Sequence, residues 1–231
     1  MSRNGTHDTG GPALHEALRG LTDPSRVLTR PIERVAYAAD ASFYRLIPQA
    51  VVLAKGVEEI QRLFRFSQAH RIPMTFRAAG TSLSGQAVTD GILVEAARHW
   101  REVRVEEGGK RVRVQPGVIG GHVNQALKAY RAKIGPDPAS INACMMGGIL
   151  ANNSSGMCCG VTQNAYHTLD SITFVLPSGT VIWAGDTVSS EPGCTRCPTS
   201  VCRGFWFSYC SFAQSAERVT LETRTSSRSP T

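Results

Sequence analysis

The sequence predicts an α+β fold arranged in two sub-layers. Three observations carry the prediction. Residues 57–69 form an amphipathic helical stretch between two apolar strands, residues 47–54 and 73–76. Two further pairs of short β segments, residues 103–105 with 111–114 and residues 172–176 with 180–183, each close over a glycine-bearing turn. The chain has 231 residues, 42% of them hydrophobic and 19% charged. That is enough for a sizeable core in one large domain or two small ones.

The elements follow in order. Residues 1–11 are polar, are expected to be disordered and lack the apolar run of a signal peptide. Residues 12–19 read as a short helix with Leu14, Ala17 and Leu18 on one face. Thr22-Asp23-Pro24 is a turn, and residues 31–38 a second short helix. Residues 47–54, apolar around Pro48, enter a strand. In the helix 57–69, Val57, Ile60, Leu63 and Phe64 share a face. Glu58 and Glu59 occupy its first turn, where the helix dipole favours anions, and Arg71 and Pro73 mark its end. With the strand at 73–76 this makes a βαβ unit, which implies a parallel pair.

Ile92-Leu93-Val94 is a further apolar run, and His99-Trp100-Arg101 is expected to end a strand. The hairpin of residues 103–105 and 111–114 alternates apolar with charged residues around Glu107-Gly108-Gly109. Pro116-Gly117 turns the chain into a helix over 118–130, with Ile119, Val123, Leu127 and Tyr130 aligned and Gly120 and Gly121 weakening its start. Ile134-Gly135-Pro136-Asp137-Pro138 is a rigid bend. The late hairpin turns on Pro177-Ser178-Gly179. After Gly185 the composition shifts to Ser, Thr, Arg and Cys, and no strand or helix periodicity is read beyond Trp206.

Lys+Arg 25 against Asp+Glu 18 gives a net charge of +7. The arginines are scattered, not striped, and no nucleic-acid motif accompanies them, so a nucleic-acid partner is set aside. No apolar run approaches the ~20 residues of a membrane span, and the default expectation is a cytoplasmic protein. Of seven cysteines, Cys144, Cys158 and Cys159 lie in the body and Cys194, Cys197, Cys202 and Cys210 in the tail. Without a secretory signal a disulfide framework is not expected. The vicinal pair Cys158-Cys159, and His122 and His167, are assigned to packing or surface rather than to catalysis.

Two stretches point to a ligand. Arg77-Ala78-Ala79-Gly80-Thr81-Ser82-Leu83-Ser84-Gly85 is nearly without bulk and follows a strand. Glycine permits unusual φ values and Ser/Thr hydroxyls add donors, so such a loop suits a phosphate or pyrophosphate beside an arginine. It is neither a Walker A loop nor the G-x-G-x-x-G fingerprint, and the plain alternative is a turn. The second stretch, residues 141–156, is dense in Gly, Ala, Asn and Ser yet keeps apolar anchors. It suits tight packing against a flat ligand; the alternative is a small-residue helix in the core followed by a polar loop.

Arg77 through Gln86, Pro136-Asp137-Pro138-Ala139-Ser140, Gly147-Gly148, Asn152-Asn153-Ser154-Ser155-Gly156 and Leu176-Pro177-Ser178-Gly179 together resemble the FAD-linked oxidase family. The resemblance is to its vanillyl-alcohol-oxidase or p-cresol-methylhydroxylase (PCMH) type of FAD domain, in the branch of D-lactate dehydrogenase and glycolate oxidase FAD subunits. It covers roughly residues 36–184, and Ala39-Asp40-Ala41-Ser42-Phe43-Tyr44 also looks like that branch. The resemblance implies two α+β subdomains with FAD between them. It implies that Arg77, Ala79, Gly80, Thr81, Ser82, Gly85 and Gln86 wrap the pyrophosphate. Pro136, Asp137, Ala139 and Ser140 would lie near the flavin or its ribityl chain, and Gly147, Gly148, Asn152, Ser154, Ser155 and Gly156 would line the rest. Some relatives attach FAD through a histidine in the first loop; the matching position is Thr81, which implies non-covalent FAD.

The activity implied is oxidation of a small-molecule 2-hydroxy acid by hydride transfer to FAD, which requires a base for the hydroxyl and a cation for the carboxylate. In the family those contacts come mainly from a C-terminal cap domain that nothing here matches, so catalytic residues stay unassigned and turnover by this chain alone is left open. A peripheral membrane or electron-acceptor contact also stays open. Domain boundaries are set at residues 1–35, an N-terminal segment with a short helix; 36–186, the FAD-binding domain; and 187–231, a divergent, disordered and dispensable tail. The tail is read as a truncated or frame-shifted end. A competing reading makes Cys194, Cys197, Cys202 and Cys210 a zinc or iron–sulfur site. The alternatives for the whole chain are a non-catalytic FAD-binding module and a Cys-rich metal or electron-transfer protein.

Overall fold

The computed structural model describes residues 11–160, 162–185 and 216–225. The first layer opens with α1 (Pro12–Leu21), where Pro12 suits the first turn because its missing N–H has no intrahelical partner there. Then come β1 (Val27–Leu28), α2 (Pro31–Ala36), β2 (Ala50–Leu53), α3 (Val57–His70), β3 (Met74–Arg77) and β4 (Ile92–Glu95). Helix α3 ends where Arg71 adopts φ 54° and returns its N–H to the carbonyls of Ser67 and Gln68. Ile60, Leu63 and Phe64 of α3 join Leu14 and Leu18 of α1 over Val52, Phe76, Ile92 and Val94 of the sheet. On the opposite face Val51, Leu53 and Leu93 form a smaller cluster with Leu28 and Tyr37.

The sheet order is β1-β2-β4-β3, parallel except for β1 against β2. The βαβ unit expected from the sequence exists, but β2 and β3 are not neighbours, because β4 is inserted between them. Ile92, Leu93 and Val94 are each 0% exposed, and an unbroken apolar run of that kind needs cover on both faces, which the central position supplies. Gly91 permits the approach: a Cβ there would lie 2.0 Å from the carbonyl oxygen of Pro73. His99-Trp100-Arg101 does not end a strand, since β4 stops at Glu95. Trp100 is instead a buried anchor whose indole N–H donates to the Ala54 carbonyl at 2.8 Å. The sequence reading also contained no β1.

The second layer consists of β5 (Val103–Glu106), β6 (Arg111–Val114), α4 (Gly120–Leu127), β7 (Ala132–Ile134), α5 (Met146–Ala151), β8 (Leu169–Val175), β9 (Val181–Gly185) and β10 (Ala216–Thr225). Both expected hairpins form, β5 with β6 and β8 with β9. The order is β5-β6-β10-β8-β9, with β7 also paired to β10, and every pairing is antiparallel. Val123 and Leu127 of α4 and Ile149 and Leu150 of α5 pack over Val112, Val114, Ile134 and Leu221. The helix expected over 118–130 starts later, at Gly120, and its last turn tightens to a 3-10 turn, Lys128–Tyr130.

Strand β10 corrects the expectation that no strand lies beyond Trp206. Val219 and Leu221 alternate with Thr220 and Glu222, a short period of two that a composition-level reading of a Ser/Thr/Arg tail misses. The sequence reading likewise contains no β7, of which only the last residue, Ile134, falls in the expected bend. The remaining tail, with the four-cysteine metal reading, lies outside the described residues, as does the N-terminal segment 1–10. The two layers are tied by Gln61 of α3, whose amide donates to Gly179 O at 2.6 Å in the β8–β9 turn.

Candidate functional site

The groove between the layers is built from two walls. The first begins where β3 hands the chain over at its carboxyl end, the side of a parallel sheet on which ligands bind. Gly80 and Gly85 take φ 69° and 72°. A Cβ on Gly80 would lie 2.5 Å from the Arg77 guanidinium, and one on Gly85 2.6 Å from the Tyr44 ring. Residues 37–42 brace this loop from behind. The Ala41 N–H donates to Gly80 O at 3.0 Å. Arg77 Nη1 donates to the carbonyls of Tyr37 (3.2 Å) and Ala39 (2.8 Å). The Ala87 N–H donates to Asp40 Oδ2 at 3.3 Å, and Asp40 Oδ1 accepts from the Ser42 N–H (2.9 Å) and hydroxyl (2.5 Å). Burial opposes ionisation of Asp40, but these hydrogen bonds outweigh it and hold the carboxyl below its ordinary 3.8.

Inside the loop, Ser82 Oγ accepts from the N–H groups of Ser84 and Gln86, each at 3.2 Å, and donates to Gln86 Oε1 at 3.1 Å. The turn is thereby closed on its own side chain. Among the described residues no group accepts from the N–H of Ala79, Gly80, Thr81 or Ser82. Four successive backbone donors without a protein partner form an anion-binding concavity.

The second wall is α5 and the turn before it. Ser140 O accepts from Ala143 N–H (2.7 Å) and Cys144 N–H (2.8 Å), and Gly147 N–H donates to Pro116 O at 2.9 Å. A Cβ on Gly147 would lie 2.9 Å from Pro116 Cβ, so this glycine serves close packing behind the wall. One position on, Gly148 faces the groove, and a Cβ there would meet nothing within 4 Å. Asn153, at φ 45°, turns the chain beyond α5, and its Oδ1 accepts from Tyr166 N–H at 2.9 Å.

The groove is shallow and opens to solvent. It brings together Ala79, Gly80, Thr81, Ser82, Gln86, Ser140, Gly148, Asn152 and Ser154 from the residues singled out in the sequence. The others stand behind it. Arg77 is turned onto the backbone carbonyls described above, where burial lowers its pKa. Gly85 packs on Tyr44, and Pro136 is buried. Asp137 meets Lys133 Nζ at 3.5 Å, and its carbonyl abuts Gly156, where a Cβ would lie only 1.8 Å away. Ala139 and Ser155 are exposed outside the lining. Sequence reasoning did not single out Ala78, Ala87, Cys144, Met145 and Ile149, which also line the groove. Cys144 and Met145 lie in the extended approach to α5 and Ile149 in its second turn, so no single periodicity in the sequence marks them. Burial pushes the Cys144 thiol above its ordinary 9.0, so it stays protonated.

The lining fits a flavin dinucleotide. Among the described residues it holds no carboxylate to repel a pyrophosphate, it offers a row of unpaired N–H donors, and Gly148 leaves a bare floor that any side chain would fill. Among the described residues no helix is long and apolar enough to cross a membrane.

Comparison with known proteins agrees. Residues 48–185 match the FAD binding domain family. The glycolate oxidase subunit GlcD of Escherichia coli is 33% identical over 184 residues, 78% of this chain and 36% of that protein. D-2-hydroxyglutarate dehydrogenase of Pseudomonas putida is 31% identical over 169 residues, 69% of this chain and 16% of that one. The chain thus spans about a third or less of the curated relatives it matches. Its fold is that of p-cresol methylhydroxylase (TM-score 0.73, 14% identity, 96% of this chain and 44% of that one). It is likewise that of 6-hydroxy-D-nicotine oxidase from Arthrobacter nicotinovorans (TM-score 0.71, 16% identity, 89% and 43%). Donors, floor, fold and sequence lead to one conclusion: the chain belongs to the FAD binding domain family, with the fold of p-cresol methylhydroxylase, and its cofactor is FAD.

Proposed function

We propose that this chain is the FAD-binding part of an enzyme that oxidises a small 2-hydroxy acid. The observation that carries the reading is the single groove shared by the 79–82 donors and the bare face of α5, in a chain similar to a glycolate oxidase subunit and to D-2-hydroxyglutarate dehydrogenase. FAD, when bound, supplies the hydride acceptor. The N–H groups of Ala79, Gly80, Thr81 and Ser82 hold the pyrophosphate. Gly148 admits the flat part of the cofactor, and Ser140, Asn152 and Ser154 supply side-chain polar groups along it. The substrate's carboxylate needs a cation and its hydroxyl a base. The described lining contains no Arg, Lys, His, Asp or Glu, so the proposal assigns both to other parts of the enzyme.

Purified protein incubated with FAD and desalted is expected to retain flavin absorbance. Anaerobic addition of glycolate, D-lactate and D-2-hydroxyglutarate then tests the reaction. Bleaching by one of them supports the oxidoreductase; retained but unbleached flavin supports the non-catalytic module. Because Thr81 stands where a covalent attachment would lie, acid precipitation is expected to release all flavin to the supernatant. The cytoplasmic location expected from the sequence belongs to this proposal and is tested by fractionation, which also reports any peripheral membrane contact.

A further inference from the structure

We propose that Arg77 is a positioning residue for the cofactor's pyrophosphate and not a ligand to it. The inference rests on the FAD reading and adds to it how the four donors come to face the groove. An arginine at the mouth of a donor-rich loop invites direct pairing with phosphate. Here the guanidinium points the other way. Nη1 donates to two carbonyls, Tyr37 O at 3.2 Å and Ala39 O at 2.8 Å. Its central carbon sits 5.6 Å from the centre of the Tyr37 ring. The side chain does not line the groove.

What it does touch is the back of the donor row. A Cβ on Gly80 would lie 2.5, 2.7 and 2.7 Å from three guanidinium atoms, so Gly80 is laid directly against the planar group in its left-handed conformation. The Gly80 carbonyl is simultaneously tied to Ala41 N–H, two positions beyond the carbonyl that Arg77 holds. Segment 37–41 and the guanidinium thus hold Gly80 from two sides, which fixes the backbone from which the donors of residues 79–82 project. The fork needs two donors in a plane and a flat face for Tyr37. A lysine has the charge but neither feature.

Three measurements test this with FAD as the probe. First, the described lining carries no formal charge, so wild-type FAD affinity is expected to change less than threefold between low and high ionic strength; a steep fall would place a cation on the phosphates and overturn the inference. Second, Arg77→Lys and Arg77→Gln are each expected to weaken FAD by on the order of tenfold or more, the scale of a lost set of charge-assisted hydrogen bonds. Near-wild-type affinity in Arg77→Lys alone would show that charge matters and overturn it. Third, Gly80→Ala disturbs the same contact from the other side, so the Arg77→Lys/Gly80→Ala double variant is expected to lose less than the product of the single losses. Multiplicative losses would overturn it. Wild-type protein that takes up no FAD would defeat the function proposed above and this inference together, whereas wild-type binding with any of the three contrary results defeats this inference alone.

Discussion

Gly147 and Gly148 are adjacent in sequence and opposite in consequence. The first is pressed on Pro116 and the second faces empty groove. Gly148→Val is therefore expected to leave the melting temperature of the apoprotein unchanged within a degree or two while weakening FAD at least tenfold, about 1.4 kcal/mol. Flavin fluorescence titration beside a thermal melt separates the two. Gly156→Ala should do the reverse damage: its Cβ would strike the Asp137 carbonyl, and overpacking against backbone costs about 3 kcal/mol, read by denaturant unfolding. The same contrast shows what could be read beforehand. A run of small residues announces close approach, but not whether a ligand or a proline supplies the neighbour. Arg77 escaped for a related reason: its charge suggested phosphate, while its partners are carbonyls distant in sequence. Glu95 is a third residue-scale case. It is buried at the end of β4, and burial raises its pKa above the ordinary 4.5. A raised carboxyl favours the folded state fully below that ordinary value and loses the contribution as pH rises through the folded one. Glu95→Gln should therefore melt higher than wild type at pH 8 and match it near pH 4.

At the scale of elements, α3 was legible because its period, its acidic first turn and its stop signals agree. The structure adds a use for Glu59, which pairs with Arg26 across the gap to the segment before β1. Burial opposes its ionisation, but hydrogen bonds from Arg26 and from Lys55 N–H prevail and leave its pKa below 4.5. A depressed carboxyl stabilises the fold above its unfolded value and gives that up as pH falls through the folded one. Acid titration of stability should accordingly be shallower below pH 4.5 in Glu59→Gln than in wild type. Strand pairing was less legible than strand existence. Short apolar runs mark β2, β3 and β4, yet their order depends on which strands lack a wet face. Trp100 follows the same logic. Read locally it ends a strand, whereas its indole reaches Ala54 O on the neighbouring turn. Trp100→Phe leaves that carbonyl unpaired and should cost about 1–3 kcal/mol.

For the whole molecule, the two-layer plan, both hairpins and the composition of both groove walls were visible in the sequence, and the closure of the second sheet was not. Strand β10 pairs with β6, β7 and β8, so it stitches together three elements that otherwise share no ladder in the middle of the sheet. Protein ending at Gly185 is expected to lose the cooperative melt of the second layer and to aggregate through the bared edges of β6 and β8. A sharp, reversible melt of that truncated protein would show the strand to be dispensable, as its composition had suggested.

The partner of Val114 in β6 is Val219, 105 positions further along. A ribosome working from the amino end must therefore pass residue 219 before this half of the protein can lock. Until then its hairpins wait as separate pieces, and ordering them means closing one very long loop late in synthesis. Nascent chains stalled just short of residue 216 should remain bound to chaperones, while those released beyond it should come free.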